Sequence, residues 1–229
     1  MGGAGGDDVV NGDGGLGGDG ATDDGAMVAD PTLDQVKAAE INGSNISVMV
    51  TLTNLAIDDV VVAAVGWRSN GGMVSQVIDD NGNVYPIVCS LVRGGATSQE
   101  LRVARVAAAG TATITVITNV SSTGLSIRAA VYKGVDPAGS FACWTGSGGG
   151  TSTATASGPV ATVGSMIAVA DTATVPSSTT GNGFTIQQSS PTFGDVFLDK
   201  RATMTGTQSV SVQLSAAGDW VMQGATLPP

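Results

Sequence analysis

The chain has 229 residues, a formal charge of −10 and no histidine, with 42% hydrophobic residues but only 4% aromatics. Without histidine, Ser-His-Asp and Cys-His machinery and every His-containing metal site are excluded, and nine basic residues against nineteen acids argue against nucleic acid and anionic membranes as partners. A core so poor in aromatics must be built from Val, Ile, Ala and Leu, and 34 glycines among abundant Ser and Thr imply short strands joined by turns.

Residues 1–30 carry seven Asp and neither Lys nor Arg, so most of the acidity belongs to an N-terminal arm. The arm is placed at residues 1–26 and a β-sandwich domain at 27–229, where the composition shifts before Asp30-Pro31. Gly and Asp cannot bury enough apolar surface to fold this arm alone, which predicts a flexible segment. Its residues 2–10 match one copy of the calcium-binding nonapeptide of β-roll proteins, which makes Asp7, Asp8, Asp13 and Asp19 calcium candidates. A β-roll needs stacked copies, and the following residues only approximate further ones. Alternatively the arm orders on a neighbouring subunit, with Gly2, Val9, Val10 and Leu16 making the contact. The N-terminus has no basic region followed by an apolar run, so synthesis in a cytoplasm is expected, and no run of eighteen apolar residues is present.

Strands are predicted at Gln35–Ile41 and Ile46–Thr53, separated by Asn42-Gly43. The unbroken apolar run Val60–Trp67 reads as a central strand covered on both faces. Val74–Asp79 and Val84–Val88 flank Asp80-Asn81-Gly82-Asn83, which reads as a hairpin because Asn-Gly supplies the positive φ of a tight turn. Glu100–Ala107 and Thr111–Val120 read as a further antiparallel pair, the second with Ala112, Ile114 and Val116 inward. In Ser126–Val135 the alternation sends Ile127, Ala129 and Val131 inward and Arg128, Ala130 and Tyr132 outward. The stretch GSGGGTSTATASG after Trp144 reads as a long loop or polar edge strand. Strands at Ser165–Val175, Phe184–Gln188, Val196–Met204, Ser209–Leu214 and Trp220–Leu227 continue the rhythm without a second full core.

Little of this carries chemistry. Asp79–Asn83 resembles the first half of a calcium loop but lacks its distal ligands, and a turn accounts for it better. Glu40 and Glu100 are the only glutamates, and Asp58, Asp59, Asp79, Asp80, Asp195, Asp199 and Asp219 fall mostly where solvated turns are expected, so no glycosidase pair stands out. There is no S-x-x-K segment and no phosphate loop in a βαβ setting. In a reducing compartment Cys89 and Cys143 read as two thiols packed as small hydrophobes, with a disulfide between them as the lesser alternative, and Trp67 and Trp220 read as core plugs.

The order of these features resembles a jelly-roll-like β-sandwich module found in tailed-phage virion proteins and modular bacterial surface proteins. The features are the strand ending in Trp67, Val77–Tyr85, the Arg-bearing strand Leu101–Arg105, a Thr-rich strand, Ile127–Tyr132 and Gly218-Asp219-Trp220. The resemblance implies an all-β fold, a single antiparallel sandwich over roughly 35–227, and no catalytic residues or cofactor. It leads to the expectation of a non-enzymatic virion component, a capsid decoration, cement or head-fibre protein. Such a component binds capsid protein and copies of itself as a homo-oligomer in the virion. The alternative expectation is an extracellular glycan-binding or adhesion module using calcium.

Overall fold

The computed structural model describes residues 1–3 and 30–229. The calcium candidates Asp7, Asp8, Asp13 and Asp19, and the arm contacts Val9, Val10 and Leu16, lie outside the described residues. Among the described residues there are fourteen strands and no helix, and every strand pair is antiparallel.

The first eight strands are β1 (Thr32–Glu40), β2 (Ser44–Leu55), β3 (Val60–Trp67), β4 (Val74–Asp79), β5 (Ile87–Gly94), β6 (Thr97–Arg105), β7 (Gly110–Thr123) and β8 (Ser126–Lys133). They build a five-stranded sheet ordered β1-β8-β3-β6-β5 and a three-stranded sheet ordered β2-β7-β4. From β1 to β5 the chain therefore changes sheet at every turn. This corrects two predicted pairings. Val74–Asp79 and the strand after it do not form a hairpin, since β4 pairs with β7 and β5 with β6. Nor do Glu100–Ala107 and Thr111–Val120 pair with each other, because β6 lies beside β3 and β7 beside β2. A Gly- or Asn-rich turn reverses the chain, but it does not say to which sheet the next strand returns.

β3 sits in the middle of the five-stranded sheet with all eight residues buried, as its unbroken apolar run predicts. Val61, Ala63 and Val65 face the three-stranded sheet, where they meet Val48, Val50 and Leu52. The alternate residues Val60, Val62 and Ala64 face the opposite way, against Ala168, Ala170 and Phe197 of the C-terminal strands. β8 is also buried on both faces, so Arg128, Ala130 and Tyr132, predicted outward, lie inside. Period-two alternation separates the faces of a strand; it cannot say that both are covered.

The remaining strands are β9 (Ala142–Val160), β10 (Met166–Ala173), β11 (Ser177–Thr180), β12 (Thr185–Ser189), β13 (Val196–Arg201) and β14 (Gly206–Leu227). They form one six-stranded sheet in the order β11-β14-β10-β13-β12, with β9 along β14. The Gly-Ser-Thr stretch is thus an edge strand, and the two predicted C-terminal strands are halves of one long strand. β9 and β14 form a ribbon whose register breaks between Gln213 and Gly218, and there the ribbon folds back on itself. The glycines record it. A Cβ on Gly146 would overlap the Thr155 carbonyl, and one on Gly158 would overlap the Trp144 indole. In a straight strand at ~3.3 Å per residue these partners would stand tens of ångströms apart.

Folding back encloses a third apolar cluster, with Trp144, Ile167, Val169, Leu198, Val212 and Met222 among its members. The described chain is consequently a stack of antiparallel sheet layers holding three apolar clusters rather than one. The C-terminal cluster escaped the sequence pattern because Ala, Gly and Ser share its strands, and their small side chains fill space left by close backbone approach. Trp67, Trp144 and Trp220 are all core residues.

Gly146→Ala is expected to lower the unfolding free energy by about 1–3 kcal/mol, because the new methyl meets a backbone carbonyl that cannot move aside. Thr155→Ala, at an exposed side chain of the same strand, should change it by less than about 0.5 kcal/mol; urea unfolding of the two variants checks the difference.

Candidate functional site

The corner after β4 is the first place where polar groups converge. Asp79 ends the strand, and its Oδ1 accepts hydrogen bonds from the backbone N–H of Asn81 (3.1 Å) and Asn83 (2.9 Å). Its Oδ2 accepts from Asn83 Nδ2 and from the Tyr85 hydroxyl, both at 2.8 Å. Gly82 takes the left-handed conformation, with φ of 76°. The half calcium loop is therefore a turn whose carboxylate is engaged by four donors, and it carries the chain from one sheet to the other. Burial pushes the Tyr85 hydroxyl well above its ordinary pKa, and the Asp79 carboxylate adds to the shift.

Beside this corner runs a groove of about 390 Å³, with Gln76, Ile78, Asn83, Val84 and Arg102 on its walls. Arg102 Nε donates to Glu100 Oε1 at 2.7 Å, and its Nη1 donates to the Tyr85 carbonyl at 3.1 Å. Asn83 is also engaged, accepting from the Ala107 N–H at 2.7 Å. The ionisable groups around the groove are thus held by one another, while Ile78 and Val84 stand exposed on its rim. The outward groups of the groove are the exposed Gln76 amide and the apolar Ile78 and Val84.

The second convergence lies in the seam between the five-stranded and six-stranded sheets. Arg128 on β8 is fully buried, as are Asp171 on β10 and Asp195 just before β13. Arg68, following β3, places Nη2 2.8 Å from Asp195 Oδ1, and Arg128 Nη1 stands 3.4 Å from Asp195 Oδ2. Arg128 also donates to the Asp171 carbonyl and, at 2.9 Å, to Thr172 Oγ1. Thr172 in turn donates to Gln99 Oε1 at 2.7 Å, and Gln99 Nε2 to the Ala170 carbonyl at 2.9 Å. Asp171 accepts from the Val196 N–H at 2.7 Å and from the Ser177 hydroxyl. The Arg68 guanidinium lies over the Phe193 ring, 3.8 Å from its centroid.

Burial pushes the Asp171 carboxyl up to about 6, reinforced by the charge of Asp195 and opposed by Ser177, Arg128 and the Val196 N–H. Burial also pulls the Arg128 guanidinium below its ordinary value, against the pull of Asp195 and Asp171. For Glu40 at the rim of the seam, burial acts upward. Hydrogen bonds from Thr192, Ser190 and Phe193 outweigh it and hold the carboxyl below its usual range. Tyr132 and Asp199 form a second buried pair across the same seam, hydroxyl to Oδ2 at 3.1 Å.

Most of these groups were not singled out by the sequence. Asp195 and Asp199, expected as solvated turn carboxylates, are buried, because Asp195, just before β13, and Asp199, within it, are roofed by Arg68, Arg128 and Tyr132 of the other half of the chain. Asp171 and Arg128 were passed over, although a lone charge inside an apolar strand, MIAVADTA or SIRAAVYK, is the signal that would have found them. Cys89 and Cys143 are not free thiols: they are bonded, linking β5 to β9. Of the predicted arm contacts, Gly2 alone is described, and it is exposed with no atom within 4 Å of the Cβ position. Among the described residues no group of three or more His, Cys, Asp or Glu is placed to hold a metal ion. Comparison of the chain with protein-family models, curated proteins and solved structures finds no match.

Arg128→Met strips the buried carboxylates of their one fully buried counter-charge among the described residues and is expected to destabilise by about 3–5 kcal/mol. Asp58→Asn, which breaks the exposed pair with Arg105 at a left-handed position Asn tolerates, should cost less than about 1 kcal/mol. Chemical denaturation of both variants tests this contrast. The raised Asp171 carboxyl also sets a pH dependence. Between its ordinary value of 3.8 and its folded value of about 6 the folded chain holds this proton more tightly than the unfolded chain. The stability it contributes is full below the lower value and is lost as pH rises through the window, on the order of 3 kcal/mol in all. In Asp171→Asn that fall between pH 4 and pH 6.5 should disappear from urea-unfolding curves.

Proposed function

We propose that this protein is a non-enzymatic structural component of a tailed-phage virion, a capsid decoration, cement or head-fibre protein that joins the shell as an oligomer, and that its layered sheets are a jelly-roll-like elaboration. The observation that carries this reading is the distribution of exposed apolar side chains. Met49 and Ile78 flank Thr115 on one cross-strand row of the three-stranded sheet, and Val84 continues the exposed apolar surface on the far wall of the groove. Exposed apolar side chains on one sheet and beside its groove suit a protein contact better than solvent. The charges favour the same reading, since arginines such as Arg68, Arg102, Arg105 and Arg128 are spent on the protein's own carboxylates. Capsid protein and further copies of this chain are then the partners, and the virion the place of work.

A second reading, an extracellular glycan-binding or adhesion module, is favoured by the Cys89–Cys143 bond, because structural disulfides belong to oxidising surroundings. Sedimentation separates the two. The purified chain is expected to run as an oligomer and to pellet with its cognate capsid shells, and Met49→Asp/Ile78→Asp should abolish pelleting while leaving the fold intact by circular dichroism. A monomer that stays in the supernatant and gives a glycan-array signal would transfer the assignment to the second reading.

A further inference from the structure

The two halves of the chain are separately cored. One apolar cluster draws only on residues between Val48 and Val131, another only on residues between Trp144 and Met222, and the third is shared across the seam. The backbone joins the halves once, through residues 134–141. The seam stacks the five-stranded sheet on the six-stranded one. Glu40 at the end of β1 accepts from the Thr192 N–H at one rim, and Cys89 of β5 is bonded to Cys143 of β9 at the other. Between the rims lie the buried charges of Arg68, Arg128, Asp171 and Asp195, together with Gln99 and Thr172.

The two cysteines are 54 residues apart in sequence and belong to different halves, yet their Cα atoms are 5.3 Å apart. No local structure holds them there. Neither strand pairs with the other, so only docking of the two cored halves brings the sulfurs into bonding range. Around the bond the packing is close. A Cβ on Gly94 of β5 would overlap the Trp220 carbonyl, Gln223 Nε2 reaches the Ser90 carbonyl at 2.8 Å, and Asp219 Oδ2 accepts from the Ala96 N–H at 2.8 Å. Cys89 itself is buried, which shields the bond once it is made.

We infer that the Cys89–Cys143 bond is a redox latch across the seam, closed only after the two cored halves have docked, and that it matches the protein to service outside a reducing cytoplasm. Closure is thiol–disulfide exchange with an oxidised dithiol. One cysteine thiolate attacks that disulfide, the other displaces the mixed disulfide, and two electrons and two protons pass to the oxidant as its two thiols. In the reduced chain the seam keeps its apolar cluster and its ion pairs but loses the covalent tie at the β5–β9 rim. That rim then opens as a unit while both separate cores stay closed.

Hydrogen exchange with mass spectrometry on the full chain, with and without a phosphine reductant, reads this directly. Amides of Ile87–Gly94 and of Ala142 and Cys143 are expected to exchange at least roughly tenfold faster when the bond is reduced, and Cys89→Ala/Cys143→Ala without reductant should reproduce the pattern. Amides of Val60–Trp67 and of 206–214 should keep their protection. Equal exchange in the two redox states, or acceleration spread over both separate cores, would overturn the latch. Thiol alkylation of denatured, unreduced protein recovered from its natural source tests the compartment. No alkylated cysteine is expected before reductant is added, and two alkylated cysteines would overturn that part.

Discussion

The inner strands of the five-stranded sheet, β8, β3 and most of β6, are dry on both faces, and most of the architecture follows from that constraint. A sheet covered twice cannot alternate apolar and polar residues, so β3 and β8 must be small, branched and uncharged almost throughout. Val and Ala allow two other layers to approach closely, and the three-stranded sheet and the C-terminal sheet each supply a complementary apolar face. Without the C-terminal half, Val60, Val62, Ala64 and Tyr132 would be stranded in water, which makes the two halves interdependent even though each has a cluster of its own.

Within that seam a few polar groups oppose the apolar logic. Moving a guanidinium and carboxylates out of water costs several kcal/mol per ion, and their attraction offsets it only when the geometry is good and the remaining hydrogen bonds are filled. Arg128 meets the requirement partly, through Asp195, Thr172 and the Asp171 carbonyl, while its Nε has no protein partner. The result is an interface specified by register as well as by surface area. Sliding β8 by one residue against its partner β3 would turn Arg128 toward the Val and Ile side chains of the first cluster, away from its carboxylates. The buried charges thus select one docking of the halves, and the disulfide holds the docking they select.

The C-terminal half solves a different problem, enclosing a core with few large side chains. Glycines at 146 and 158 let the β9–β14 ribbon fold until the Thr155 carbonyl and the Trp144 indole press on bare backbone. A stretch with the composition of a flexible linker becomes one of the most closely packed parts of the molecule. The outward side of this construction carries Ser and Thr, several carboxylates and guanidinium groups are turned inward, and the exposed Ile78 and Val84 stand beside the β4 corner.

Some of this was written locally in the chain. The all-strand character, the doubly buried run Val60–Trp67, the inward set Ala112, Ile114 and Val116, the turn at Asp79–Asn83 and the core placement of Trp67 and Trp220 all follow from side-chain period, β-branching and turn chemistry over a few residues. Which sheet a strand joins was not legible. The turn after Asp79 looks the same whether the chain returns to its neighbour or crosses to another layer, and Arg128 looks outward until a second sandwich is laid over it. Asp171, Asp195 and the sulfurs of Cys89 and Cys143 acquire their meaning from partners as many as 127 residues away, as with Arg68 and Asp195. The sequence by itself determined the strands, their inward residues and their turns, since those depend on nearest neighbours. Only the tertiary structure decided the layers, the buried charge cluster and the disulfide, because burial and pairing are properties of contacts between segments, which no local pattern encodes.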